Sequence, residues 1–125
     1  MYLLIYYLDC NFVVRRLLWK NSGDIRKAIA ANGGRQFDVL IASDIVALPY
    51  LDYLTDLLDA VSKLLASDGV FYLAYQRRHS SEEIFFDQLR TRSFSLEEIP
   101  RSRIHKDFRE NSAISIFMIR KLSQY

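Results

Sequence analysis

The chain is poor in the residues from which many sites are built. Its 125 residues include one cysteine, Cys10, and two histidines, His79 and His105. A lone cysteine closes no internal disulfide, which points to a reducing compartment, the cytoplasm or the nucleus. No Cys/His spacing suggests zinc, so no metal site is expected. Glycine is scarce as well, with four in all. None stands in a G-x-x-x-x-G-K or G-x-S-x-G pattern, so neither a P-loop nor a nucleophile elbow is present. The one adjacent pair, Gly33-Gly34, precedes an apolar run. A phosphate-cradling loop must follow a strand and open a helix, so this pair reads as a helix stop. The longest apolar runs, about 8 residues, fall far short of the roughly 18–20 that a membrane span needs. The opening MYLLIYYLDC has the apolar part of a signal peptide without a basic flank or a small-residue cleavage site. Charge of one sign is lacking too. Lys plus Arg is 17 and Asp plus Glu is 15, a net +2 too small and too evenly spread to argue for nucleic acid.

What is present is ordinary globular material, with half the residues hydrophobic. This excludes a disordered tail and suits one domain over 1–125, in which residues 1–11 have no assigned role beyond a strand or short buried helix. Residues 12–19, FVVRRLLW, predict a strand ending at Trp19. KNSGD then makes a turn, and Asp24 is placed to cap a short helix running to Gly33. FDVLIAS, residues 37–43, is a continuous apolar run of strand length, the pattern of a strand covered on both faces. Leu51, Leu54, Leu57, Leu58, Val61, Leu64 and Leu65 follow helical spacing and predict a helix over 51–66. SDG at 67–69 reads as a turn, and VFYLAY at 70–75 as a second buried strand. Ser80 or Ser81 can cap a helix reaching about Arg92, with Ile84, Phe85 and Leu89 inward. Residues 94–99 and 113–121 predict two last strands, joined by a charged loop.

Strands joined by helical crossovers imply an α/β fold with a Rossmann-like, mostly parallel sheet. The last two strands lack a helix between them, so a terminal antiparallel pair is expected. In such sheets ligands bind just beyond the carboxyl ends of the strands. Asp44, directly after FDVLIAS, is therefore a candidate site acid, and equally a residue that caps the turn SDIV. Tyr75 reads as packing. The clusters Arg77-Arg78-His79 and Arg101, Arg103, His105 and Lys106 read first as solvated loops.

The order Leu17-Leu18-Trp19, then Phe37 to Asp44, a leucine-rich helix, Asp68-Gly69 to Arg77, and Glu82-Glu83-Ile84-Phe85-Phe86 resembles the class I S-adenosylmethionine-dependent methyltransferases. It is most similar to their protein-lysine methyltransferase branch. The ending, Phe94 to Pro100 and then Ile114-Ser115-Ile116-Phe117, fits the same pattern. The resemblance implies S-adenosylmethionine as cofactor and a protein substrate presenting a lysine. It implies Trp19 against the adenine, Ser43 touching the cofactor, and Asp44 facing the reacting amine. Two positions depart from the family. Ala47 stands where an aromatic hydroxyl is usual, with Tyr50 three residues on, and Gln76 replaces an acid. The family's Gly-rich cofactor loop and its second-strand ribose acid have no counterpart here. The fold is thus expected to be incomplete at its N-terminal side, with strand 37–43 left as an open edge. MYLLIYYL can fill that edge, or a second copy can pair with it. Three functions follow: a protein-lysine methyltransferase, a non-catalytic remnant serving as an interaction or dimerisation module, or a relative acting on a small molecule or RNA.

Overall fold

The computed structural model describes residues 4–8, 11–43, 54–76 and 83–122. Two strands come first, β1 (Leu4–Leu8) and β2 (Asn11–Arg15), paired antiparallel with Leu8 opposite Asn11. They form a separate two-stranded sheet. Two of the sequence expectations are corrected here. The strand predicted over 12–19 stops at Arg15, because Leu17 turns into the core, where it is 3% exposed, and Trp19 lies in a turn. Of MYLLIYYL, the described residues Leu4–Leu8 pair with β2 and do not fill the open edge of the main sheet.

The main body alternates helix and strand: α1 (Ser22–Ala31), β3 (Phe37–Ser43), α2 (Leu54–Leu64), β4 (Leu65–Gln76), α3 (Glu83–Thr91), β5 (Phe94–Glu98) and β6 (Ile114–Lys121). The four strands form one sheet in the order β3-β4-β6-β5. β3 and β4 run parallel, whereas β6 is antiparallel to both of its neighbours. Three strands therefore point one way, with β6 reversed between them. This is a partial Rossmann-like α/β fold with the expected antiparallel ending.

Local chemistry explains most of the boundaries. Asn21, and not the predicted Asp24, caps α1, its side-chain oxygen accepting from the Asp24 amide at 3.1 Å. Asp24 instead lies in the first helical turn, where its carboxylate accepts from the Leu18 amide at 2.9 Å. Gly33 and Gly34 end α1 as predicted, with φ of 69° and 75°. The Gly34 amide reaches back to the Ile29 carbonyl at 3.0 Å, the six-to-one bond of a Schellman stop. α2 is described from Leu54, its predicted first residues lying outside the described set. It ends at Leu64, and β4 begins directly at Leu65. The predicted SDG turn therefore lies inside β4, opposite a register shift between Phe37 and Val39 of β3. Gly69 permits this close approach. A Cβ there would sit 2.9 Å from the Asp38 carbonyl oxygen and 3.0 Å from that of Phe37. The serines predicted to cap α3 lie outside the described residues.

Strand alternation and register divide the sheet into two faces. Leu40 and Ala42 of β3 are level with Phe71 and Leu73 of β4, which are level with Ile119 and Phe117 of β6. On this face α2 contributes Leu54, Leu57, Leu58 and Val61, and α3 contributes Phe85, Phe86 and Leu89, to the main core. A second cluster joins α1 to α2 through Ile25, Ala28, Ala60 and Leu64, with Leu17 and Phe37. All three helices thus cover one face. The other face carries Val39 and Ile41, 49% and 82% exposed, beside the half-buried Val70, Tyr72, Ile116 and Met118. The expectation that strand 37–43 is covered on both faces is corrected, since no described helix lies over this second face.

Candidate functional site

β3 and β4 are parallel, so their carboxyl ends open at the same end of the sheet, with Ser43 level with Ala74. Gln76 ends β4 two residues further on, opposite the first residue of β6, Ile114. This tip is where an open α/β sheet presents ligand-binding groups. The Ser43 side chain is exposed there. Asp44, Ala47 and Tyr50, which follow it, lie outside the described residues, as does Arg77-Arg78-His79.

Trp19 is held from two sides. It lies in a turn closed by the Asn21 amide donating to the Leu18 carbonyl at 2.9 Å. The Asp24 carboxylate ties Leu18 to the first turn of α1. The indole is half-buried and packs against both core clusters, as does Leu40 of β3. It is therefore an ordered aromatic surface with an exposed part, neither sealed in the interior nor free. Tyr75 is packing, as predicted. It is 5% exposed, with ring centroids 5.7 Å from Phe86 and 5.6 Å from Phe117.

The loop between β5 and β6 hangs from the same tip, because β5 runs with β4 and β6 returns from it. The solvated loop expected from its charges holds for Arg103, His105 and Lys106, which are exposed, whereas Arg101 is half-buried. Yet the loop is ordered by a short 3₁₀ turn at Arg101–Arg103 and by the buried Ile104. Arg101 donates to the Asn111 and Ser112 carbonyls at 3.0 and 3.2 Å, and Arg109 to the Ile104 carbonyl at 3.1 Å. Ile104, the one apolar anchor amid RSRIHKD, is the signal that could have revealed this.

At the opposite end, Lys121 donates to the Ser62 and Leu65 carbonyls at 2.7 and 2.6 Å. It fastens the end of α2 to β6, and burial pulls its pKa below the usual lysine range. A groove of about 680 Å³ opens beside it, lined by Ser67, Asp68, Arg92 and Phe94 among others. Among the described residues no group of three His, Cys, Asp or Glu side chains is arranged to hold a metal. No helix among them is long and apolar enough to cross a membrane.

The sheet order, with one strand reversed among parallel ones and the helices on one face, defines a partial Rossmann-like α/β protein. A family model described as lysine methyltransferase matches residues 7–92, more than half of the chain. The chain belongs to this lysine methyltransferase family. No curated protein matches it. Membership implies S-adenosylmethionine as the methyl donor, and the described residues fit that group on one side only. Trp19, half-buried, has the flat apolar chemistry on which an adenine can pack. Of the four glycines, Gly23 follows β2 and lies in the first turn of α1 but stands alone, Gly33 and Gly34 precede β3, and Gly69 lies within β4, so no Gly-rich loop joins a strand to a helix among the described residues. The cradle for the donor's amino-acid end is therefore not among the described residues.

Proposed function

We propose that this chain is a protein-lysine N-methyltransferase unit contributing the amine-facing side of an S-adenosylmethionine cleft. The observation that carries the reading is the family match over 7–92 together with the strand order β3-β4-β6-β5. That order corresponds to the fourth, fifth, seventh and sixth strands of the class I pattern. The bound donor supplies an electrophilic methyl group on sulfur. A lysine attacks such a group only as the neutral amine, and Asp44 accepts a hydrogen bond from that amine to aim its lone pair. Most of the rate gain in this scheme comes from alignment. Trp19 carries the adenine, and Ser43 lies along the cofactor.

The open edge of β3 bears on how the cleft is completed. Further polypeptide pairing there supplies the wall that holds the donor's amino-acid end. A second reading, a non-catalytic interaction module, is favoured by the same exposed Val39 and Ile41. A relative acting on RNA is disfavoured by the net charge of +2.

Trp19 is the only tryptophan, so its fluorescence reports adenine contact directly. Titration of the chain with S-adenosylhomocysteine is expected to quench it weakly and saturably, with a Kd on the order of a millimolar. No quenching in that range overturns the role of Trp19, and micromolar binding overturns the incomplete cleft. Asp44→Asn is expected to leave the titration unchanged and, once the cleft is completed, to lower methyl transfer by roughly 10²-fold or more.

A further inference from the structure

The β5–β6 loop, residues 99–113, holds Arg101, Arg103, Lys106 and Arg109 against Asp107 and Glu110. The loop therefore accounts for the whole net charge of +2, and the remainder of the chain is balanced. The nearest acids outside it, Glu97 and Glu98, belong to the strand body opposite Met118 and Phe117. Within the loop, the Asp107 amide donates to His105 Nδ1 at 3.2 Å, and the same nitrogen lies 3.6 Å from the Asp107 carboxylate. Arg101 and Arg109 are turned inward onto carbonyl oxygens and brace the loop. The side chains of Arg103 and Lys106 are exposed and have no hydrogen-bond or ionic partner among the described residues. Beside them Phe108 stands 53% exposed, its ring centroid 6.2 Å from that of His105. The result is a braced, preorganised surface offering two unpaired cations and an aromatic ring.

Its position gives this surface a purpose. The loop leaves β5 and enters β6 at the sheet end where β3 finishes at Ser43. β6 is two strands from β3 and β5 is three, so the loop stands about 10–14 Å from that tip at the usual strand spacing. An extended peptide covers that distance in about three to four residues. We infer that the 99–113 loop docks an acidic segment of the protein substrate, three to four residues along the chain from the lysine to be methylated. The inference rests on the lysine methyltransferase reading above and names the substrate class for the same strand-tip site. Arg103 and Lys106 pair with the acidic side chains, and Phe108 packs against an apolar residue between them.

The test is a binding measurement that needs neither cofactor nor turnover. The whole chain is titrated at low ionic strength against a fluorescein-labelled twelve-residue peptide carrying one lysine, a leucine and three glutamates, read by anisotropy. The acidic peptide is expected to bind, and a matched peptide with glutamines in place of the glutamates is not. R103E/K106E is expected to weaken binding about tenfold, as two reversed surface charges should, and F108A by a few-fold. Both variants should keep the parent's unfolding midpoint, since neither disturbs Ile104 or the two bracing arginines. Binding that is absent, indifferent to the glutamates or unchanged in R103E/K106E overturns the inference. So does tighter binding of a labelled oligouridine, which would make the surface a nucleic-acid site. The Trp19 titration does not involve this loop, so loss of that signal with peptide binding intact overturns the cofactor role of Trp19 and leaves the docking surface standing.

Discussion

The two faces of the sheet are made from the same strands and have opposite fates. On one, Phe71, Leu73 and Ile119 are sealed under α2 and α3, with exposures of 2% or less. On the other, Ile41 is 82% exposed and Val39 nearly half so. Composition does not separate them, since both present β-branched and aromatic side chains. The difference lies in the crossovers. Every described helix packs on one side, so each residue of β3 and β4 is buried or left bare according to its parity along the strand. Among the described residues nothing pairs with the outer edge of β3, and an open edge beside a bare apolar face is where further chain can add.

Three substitutions sharpen that contrast. The largest effect is expected at the covered face. Phe85 is fully buried among Leu, Phe and Tyr side chains, so Phe85→Ala should cost about 3–5 kcal/mol by urea unfolding. That is a large part of the stability of a domain this size. A loss below about 1 kcal/mol would mean that the helices do not seal the sheet. An intermediate effect is expected at the seam between β3 and β4. Gly69→Ala places a methyl group 2.9 and 3.0 Å from two backbone carbonyl oxygens, which cannot rotate away as a side chain can. It should cost about 1–3 kcal/mol and be read as a lowered urea midpoint. The smallest effect is expected on the bare face. Ile41→Thr should change the stability of the isolated monomer by about 0.5 kcal/mol or less. If the face receives a second copy, the same change should shift sedimentation from dimer toward monomer. A large loss of monomer stability would show instead that this face is already covered.

Much of the local structure was legible. Helical spacing of leucines located α2, paired glycines located the stop of α1, and the missing helix before β6 predicted its antiparallel return. Boundaries failed where two local signals competed. Asn21 and Asp24 can both cap a helix, and only the backbone decided that Asn21 does, leaving Asp24 to bind the Leu18 amide. SDG reads as a turn in isolation, but in the sheet Gly69 is needed where two backbones approach. Of the site, Trp19 was legible as an aromatic after an apolar run, and its packing partners were not. The β5–β6 loop was legible as charge, but not as ordered structure, because Arg101 closes it onto residues ten and eleven positions away.

The sequence by itself determined the element types, the reversed last strand and the family pattern, because these depend on periodicity and residue order over short stretches. The tertiary arrangement set the rest: the helices share one face, β1 and β2 pair with each other, and Arg103 and Lys106 have no partner among the described residues. Those outcomes depend on contacts between residues far apart in the chain, and no local pattern encodes which of two chemically similar faces will find a cover.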